Sequence, residues 1–385
     1  MGKSGLKGIT FQNAMNDKGK INIKCTQCGY IPASGSIEYC CPICGGIFDF
    51  EQIFEYHPSS EWGDQPGIWR FWGSFGLTRD LTAVSLGEGN TPLVWDQVRK
   101  KKVAFKLDFL NPTGSYKDRG TTVLISRLLW LGVKYAIEDS SGNAGASFAA
   151  YCSRAGIHGK VYVPDYASGP KRAQIEAYGS EIVPVPGPRS NASEAVQAEA
   201  DGGSVYASHA YQPYVLPGYA TAAYEIYEQL GCLPGSVLVP VGQGSFLLGI
   251  GRGFEALLRR KVLGEMPQMI GVQSQACAPL WAAFQNDDPG ITGVEEGVTL
   301  AEGIRIGKPL RSAQVLDMVK SSGGWITAVR ENKILPAMKD LASRGFYVEP
   351  TSAVVWPALL NDFDQLREPV VVVLTGSGLK FEAGS

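Results

Sequence analysis

Lys117 sits in the run Asn111 to Gly120, N-P-T-G-S-Y-K-D-R-G, and is the residue with the clearest chemical potential. The turn residues Pro112 and Gly114 lead into Val123, Leu124, Leu128 and Leu131 at helical spacing, with Ser115 as N-cap and Gly132 as the end of the run. Lys117 therefore falls in the first helical turn. A cation there opposes the positive end of the helix dipole, and a helix built for stability alone would place an acid at that position. A partly desolvated lysine has its ammonium disfavoured, and a lowered pKa is what an amine needs to form a Schiff base with an aldehyde. The competing reading is a solvated lysine paired with Asp118.

Three glycine-rich segments supply possible partners. Ser140-S-G-N-A-Gly145 reads as a strand-to-helix turn whose N–H groups form an anion nest suited to an amino acid carboxylate. Its residues Ser140, Ser141, Gly142 and Ala144 are candidates for substrate binding, and the amide of Asn143 can meet a phenolic oxygen. In Val241-G-Q-G-S-Phe246 the backbone donors of Gly242, Gln243, Gly244 and Ser245 are expected to face a phosphate. Neither the ATP P-loop pattern nor the dinucleotide fingerprint is present in the right context. Thr375-G-S-G offers hydroxyls, including Ser377 as a substrate contact, and Thr375 could meet a neutral ring nitrogen. One such turn alone is commonly structural; three together with a lysine at a helix start are not.

A second kind of chemistry lies near the N-terminus. Of eight cysteines, five fall between Cys25 and Cys44, and Cys25-T-Q-Cys28-Gly29 and Cys41-P-I-Cys44-Gly45 have the spacing of two zinc knuckles. Four thiolates leave Zn2+ no open position, so the metal would be structural. Cys40 could replace Cys41, although only Cys41 keeps the two-residue spacing; the plain alternative is a set of free thiols in a flexible arm.

The elements that must position these groups follow from hydrophobic patterning. Residues 1–20 read as polar and irregular, the ribbon occupies 22–50, and an aromatic arm from Phe54 to Phe75 with Trp62, Trp69 and Trp72 must bury its rings. Ser85 to Leu93, S-L-G-E-G-N-T-P-L, is a stiff loop entering a strand. Strands are expected at 103–107, 134–137, 161–164, 182–185, 237–241, 269–272 and 370–374, and helices at 143–154, 171–178, 219–230, 246–260 and 331–343. Short apolar strands alternating with amphipathic helices give an α/β protein with two doubly wound parallel sheets. In such sheets ligands sit at the carboxyl ends of strands, where each glycine-rich loop falls. With 385 residues, 44% hydrophobic, 19% charged and a net charge of -2, the chain is expected to have two or three real cores. That composition gives it no basic footprint for nucleic acid and no polybasic membrane patch. The absence of a long apolar run and the polar start M-G-K-S-G point to a cytoplasmic protein.

The motifs S-L-G-E-G-N-T-P-L, N-P-T-G-S-Y-K-D-R-G, S-S-G-N-A-G-A-S, V-P-V-G-Q-G, V-E-P-T-S-A and L-T-G-S-G-L-K resemble, in order and spacing, those of the threonine synthase family. These are pyridoxal-phosphate (PLP) enzymes of the tryptophan-synthase-beta fold, fold type II, and the likeness is to the subgroup with an N-terminal zinc ribbon. It covers nearly the whole chain. The resemblance implies that Lys117 carries the cofactor and moves the proton at substrate Cα, while Asn143 contacts O3′, the Gly242 to Ser245 backbone holds the phosphate and Thr375 faces the ring nitrogen. It implies residues 1–50 as arm and zinc ribbon, 51–110 plus 210–385 as the large PLP-binding domain, and 111–209 as a smaller mobile α/β domain. The expected assembly is a homodimer.

The implied reaction is elimination or replacement on an O-activated amino acid, O-phosphohomoserine to threonine in the family's case. Two departures bear on the substrate. The family pattern N-P-x-R-x-E-G-Q-K-T is matched here by Q-P-Y-V-L-P-G-Y-A-T from Gln212 to Thr221, so Val215 stands where an arginine helps hold the substrate phosphate. T-G-H-G-L-K becomes T-G-S-G-L-K, with Ser377 for histidine, and Phe381 replaces the following acid. A lost guanidinium contact removes ~1.5–3 kcal/mol, for which Lys171, Arg172, Arg305 or Lys308 are the possible compensators. The alternatives are a β-eliminating serine/threonine dehydratase or ammonia-lyase, a β-replacement synthase on O-phosphoserine, or, in another class, an idle PLP-binding or zinc-ribbon adaptor protein.

Overall fold

Short strands of two to seven residues alternating with helices set the architecture. The computed structural model describes residues 22–61, 65–78, 80–262, 264–287 and 294–382. The expectations for residues 1–20 and for Trp62 lie outside the described residues.

In chain order, β1 (Ile23–Cys25) and β2 (Phe48–Phe50) pair antiparallel as the cysteine ribbon. Then follow β3 (Leu93–Val98), β4 (Lys101–Lys106), α1 (Lys117–Trp130), β5 (Tyr135–Glu138) and α2 (Asn143–Ala155). Next come β6 (His158–Pro164), α3 (Pro170–Ala177), β7 (Glu181–Val185), α4 (Arg189–Asp201) and β8 (Val205–Tyr206). The chain continues with α5 (Val215–Leu230), β9 (Ser236–Pro240), α6 (Ser245–Arg259), β10 (Gln268–Ser274), α7 (Pro279–Asn286) and α8 (Ser312–Ser321). It ends with β11 (Ile326–Val329), α9 (Ile334–Ser343), α10 (Pro350–Ala353), α11 (Val355–Asn361) and β12 (Val370–Val373).

Two further sheets form. The larger runs β11-β10-β9-β12-β4-β3, parallel except for β3, which folds back antiparallel on β4. The smaller runs β7-β6-β5-β8 and is parallel throughout. The α/β, doubly wound expectation therefore holds. β12 lies inside the larger sheet, and its four valines are all buried, as a parallel strand covered on both faces requires.

Three expectations are corrected. Ser115 does not cap α1: Tyr116 occupies the N-cap position without a side-chain cap bond, and Ser115 Oγ has no partner. Helix α5 begins at Val215, four residues before the expected Tyr219, because Pro217 in the first turn lacks an N–H that would have been unpaired there anyway. The helix expected from Glu331 opens as a 3-10 turn over Glu331–Lys333 before α9. The aromatic arm buries Trp69, Phe71 and Phe75 fully, as expected, with Trp69 Nε1 donating to Glu88 and Thr122, while Trp72 is only partly buried against the core.

Beneath the sheet edge, α1 and α5 cross closely enough that a Cβ on Gly218 would lie 1.9 Å from the Arg119 carbonyl oxygen. Arg119 itself is buried between Asp108 and Glu225, donating to both carboxylates at 2.7–2.9 Å, and Lys106 Nζ reaches Glu225 at 2.7 Å. Despite burial, Asp108 and Glu225 favour the Arg119 cation, and Arg119 and Lys106 hold Glu225 well below the usual carboxylate range. This ionic knot fixes the start of α1, and with it Lys117.

Candidate active site

Lys117 is the first residue of α1, with its Nζ 5.0 Å from the Tyr116 ring centroid. Burial lowers its pKa to about 8, with the Glu138 carboxylate working against that shift and Arg189 adding to it. The solvated Lys117–Asp118 pair does not form. Asp118 is buried and turned away, accepting from Thr113 N at 2.7 Å, Thr113 Oγ1 at 2.6 Å and Ser147 Oγ at 2.7 Å. Its pKa is pushed up to about 6 by burial, which those hydrogen bonds partly offset.

The structure joins the predicted loops to the turn that carries this amine. Tyr116 N donates to Thr375 O at 3.0 Å, and Ser115 bridges Gly376, so the lysine turn is stitched to the segment after β12. Tyr116 also stacks on Phe246, ring centroids 4.1 Å apart, which ties the lysine turn to the Gly242 loop at the start of α6. Gly244 has φ +83° and precedes Ser245 at the helix start; a Cβ there would lie 2.4 Å from Val315 Cγ2, so only glycine lets the turn settle onto α8. A Cβ on Gly242 would come within 3.0 Å of Ile304 Cα. The Gln243 side chain is engaged elsewhere, accepting from Leu310 N at 3.1 Å.

Asn143 opens α2, and its Nδ2 donates to Glu349 Oε1 at 2.7 Å. Glu349 N in turn donates to Gly376 O at 3.0 Å, and a Cβ on Gly376 would stand 2.1 Å from Glu349 Oε1. The Asn143 loop thus meets the Thr375 loop through one buried carboxylate. Around it, Ser140 Oγ accepts from Gly142 N at 3.2 Å, Ala144 is buried, and Ser141 is partly exposed. Ser377 Oγ accepts from Leu379 N at 3.3 Å, so that hydroxyl caps a local turn.

Four side-chain oxygens on these converging segments are buried with neither a hydrogen-bond nor an ion-pair partner: Ser115 Oγ, Asn143 Oδ1, Ser245 Oγ and Thr375 Oγ1. Orphaned buried polar atoms are rare in folded proteins, and a group of them marks a place for something polar. A compact group with one phosphate, one ring hydroxyl and one ring nitrogen fits that set, because the three hydroxyls can donate or accept, Asn143 Oδ1 accepts, and the helix starts at Asn143 and Ser245 present further N–H groups.

Sequence reasoning missed several residues here. Glu349 lay inside a recognised motif without a role. Lys171 Nζ is 2.9 Å from Glu349 Oε2, and Lys380 is buried with Nζ 2.8 Å from Thr113 O and its pKa lowered by burial to about 8. His209 and Glu138, joined at 2.7 Å, also face Lys117 electrostatically; burial pushes Glu138 well up and His209 well down. Of the expected compensating cations, Lys171 alone reaches this cluster. Arg172 pairs with Glu176, Arg305 bonds Glu296 O, and Lys308 lines a cavity beside the ribbon residues Gly45 and Gly46.

In the ribbon, Cys25 Sγ lies 3.5 Å from Cys44 Sγ and Cys28 Sγ 3.5 Å from Cys41 Sγ, and all four sulfurs fall within 4.8 Å of one another. Cys41 joins this group and Cys40 does not. Burial would raise the Cys25 thiol, but backbone N–H groups of Cys28 and Gln27 more than offset it and lower it to about 6. The set fits tetrahedral Zn2+.

Residues 84–376 match the family model described as pyridoxal-phosphate dependent enzyme. The chain is 34% identical over 375 residues to threonine synthase of Methanocaldococcus jannaschii, covering 93% of this chain and 92% of that one. It is 31% identical to threonine synthase of Methanosarcina acetivorans, with the same coverage. Among solved structures, a T.th. threonine deaminase superposes with a TM-score of 0.65 at 27% identity, covering 76% of this chain and 94% of that one. Maize serine racemase has a TM-score of 0.67 at 21% identity over 76% of this chain and 89% of that one, a likeness of fold. Among the described residues no helix is long and apolar enough to cross a membrane.

Proposed function

Because the chain belongs to the pyridoxal-phosphate dependent enzyme family, we propose that it is a threonine-synthase-like carbon–oxygen lyase acting on an O-activated amino acid, with O-phosphohomoserine to threonine as the leading reaction. The observation that carries this reading is the set of four orphaned oxygens on the Lys117 turn and the segments joined to it. Lys117 would hold the cofactor covalently, the Gly242 to Ser245 N–H groups and the Ser245 hydroxyl its phosphate, Asn143 its ring oxygen, and Thr375 its ring nitrogen. Bound there, PLP supplies an electron sink that acidifies the substrate's Cα–H. The chain's own groups do the rest. The nest from Ser140 to Ala144 binds the substrate carboxylate, and the lysine amine, its pKa lowered by burial to about 8 so that deprotonation is easier than in a solvated lysine, takes and returns the proton at Cα. A hydroxyl at position 375, unlike a carboxylate, does not hold a proton on the ring nitrogen, which favours elimination and replacement over transamination.

A second reading, β-elimination on serine, threonine or an O-activated relative, is favoured by Val215. It is buried at the start of α5 and its Cβ lies 2.8 Å from where a Gly120 Cβ would stand, so no guanidinium is available at that position. The reading also includes a structural Zn2+ on Cys25, Cys28, Cys41 and Cys44 and a cytoplasmic homodimer. The deciding experiment offers O-phosphohomoserine, O-phosphoserine, serine, threonine and diaminopropionate to the holoenzyme and scores released phosphate, released ammonia and the change in cofactor spectrum. Phosphate release with threonine formation supports the leading reaction, ammonia release from serine or threonine supports the second, and no spectral change with any of the five overturns both.

A further inference from the structure

The substrate-binding nest is entered through two consecutive acids. Glu138 ends β5, Asp139 follows it, and Ser140 begins the nest. From the segment after β8, His209 stands against them with Nδ1 2.7 Å from Glu138 Oε1. One ligand atom from each of the three residues lies within 4.8 Å of the others. The other carboxylate oxygen, Glu138 Oε2, is buried on a residue only 1% exposed and has no hydrogen-bond partner. Among the described residues, no lysine or arginine lies within ion-pair distance of either acid; Lys117 and Arg189 act on Glu138 only through space. Should the Lys117 amine be taken up by the cofactor, as the functional reading above holds, Glu138 loses the stronger of these two as a free ammonium.

We propose that Glu138, Asp139 and His209 form a divalent-cation site beside Lys117, with two carboxylate oxygens and one imidazole nitrogen as ligands and its remaining positions open to water or substrate oxygens. The orphaned Oε2 supplies a lone pair with nothing to accept from, and a cation is the partner that also offsets two adjacent carboxylates. A mixed oxygen and nitrogen set suits Mn2+ or a similar hard-to-borderline ion and differs in kind from the thiolate cluster of the ribbon. The ion would reverse the local charge. The acids alone offer an anionic substrate group no counter-charge, whereas a dication held there, displacing the Glu138 proton, can take a phosphate oxygen as a ligand. His209 lies on the connection between β8 and α5, six residues before Val215 opens that helix in place of the family's arginine. This consequence rests on the functional reading above; the site itself does not.

The test is a titration of zinc-loaded holoenzyme with Mn2+, following free Mn2+ by electron paramagnetic resonance. One saturable Mn2+ per chain with Kd below about 1 mM is expected. Glu138→Gln combined with Asp139→Asn should weaken it by at least about tenfold, and His209→Ala should do the same, with ribbon zinc and the cofactor absorbance retained in each. Absence of saturable binding in the unmodified enzyme, or unaltered binding in variants that keep their cofactor absorbance, overturns the site. Because the unmodified enzyme decides first, a variant that fails to fold does not rescue the proposal. Mn2+ binding without turnover of any O-activated amino acid would keep the site and sink the functional reading; turnover without Mn2+ binding would do the reverse.

Discussion

Asn143 and Glu349, 206 residues apart in sequence, are joined by a 2.7 Å hydrogen bond from amide nitrogen to carboxylate oxygen. That bond uses the donor end of Asn143 and leaves Oδ1 buried and unpartnered. Glu349 also pairs with Lys171 on α3 and packs directly on Gly376. One carboxylate therefore aligns the amide on α2 and ties it to the Thr375 loop.

Removing that carboxylate should loosen cofactor binding. Glu349→Ala leaves Asn143 Nδ2 and Lys171 Nζ without this acceptor, an effect of ~1–3 kcal/mol, or roughly five- to a hundredfold in affinity. Glu349→Gln keeps an oxygen for Asn143 and loses only the ion pair, so its effect should be smaller. Titrating apo protein with PLP and following the absorbance measures both; an alanine variant that binds like the unmodified protein removes Glu349 from the account.

The depressed pKa of Lys117 sets a pH profile for loading. Only the neutral amine attacks the aldehyde, so below pH 8 the reactive fraction falls about tenfold per unit and above it the rate levels off. An unshifted lysine would keep climbing toward pH 10. The apo protein's stability follows the same sign. The unfolded lysine keeps its proton up to about 10.5 and the folded one only to about 8, so between those values the unfolded chain binds more protons and stability rises with pH. Lys380 shares the window, so Lys117→Met should reduce that rise without abolishing it. Stopped-flow loading and denaturant titration across this range check the two halves separately.

Much of this arrangement was legible in the sequence because it depends on local chemistry. Strand β12, four valines in a row, and the glycine turns before Asn143 and Ser245 follow from periodicity and backbone freedom within a few residues. The lysine at a helix start was readable because it is wrong for the dipole. What was not legible depends on distant partners. Helix α4 (R-S-N-A-S-E-A-V-Q-A-E-A-D) buries only Ala192 and Val196, too weak an apolar stripe to stand out. β8 is two residues long and exists through its pairing with β5. Glu349 and His209 gain meaning only from Asn143 and Glu138, 206 and 71 residues away.

Breaking the ionic knot under Lys117 should cost stability before it touches chemistry. Arg119→Ala leaves Asp108 and Glu225 buried with their principal counter-charge gone, a loss of ~3–5 kcal/mol. Arg119→Lys cannot reproduce the forked contacts and should recover only part of it. Urea unfolding of the two variants gives the ranking; a change within experimental error for alanine would show that Lys106 carries the compensation alone.

Chelation tests the ribbon and its tie to the body together. Cys41 is 1% exposed and stands 3.5 Å from Cys28, whereas Cys40 faces Tyr39 and lies outside the cluster, so Cys41→Ser should lose zinc and Cys40→Ser should retain it. The ribbon is not an independent appendage, because Phe48 is fully buried in the main core and Asp49 binds Arg252 with two hydrogen bonds at 2.8 and 2.7 Å. A chelator under reducing conditions should therefore speed amide exchange over residues 22–50 and at Arg252 on α6, where the Asp49 contact weakens. The start of α6 is held separately by Gly244 against Val315 and by Phe246 against Tyr116, so the cofactor absorbance should persist. Loss of that absorbance in step with zinc release would mean that the metal supports the Gly242–Ser245 turn directly, which the packing at Val315 argues against.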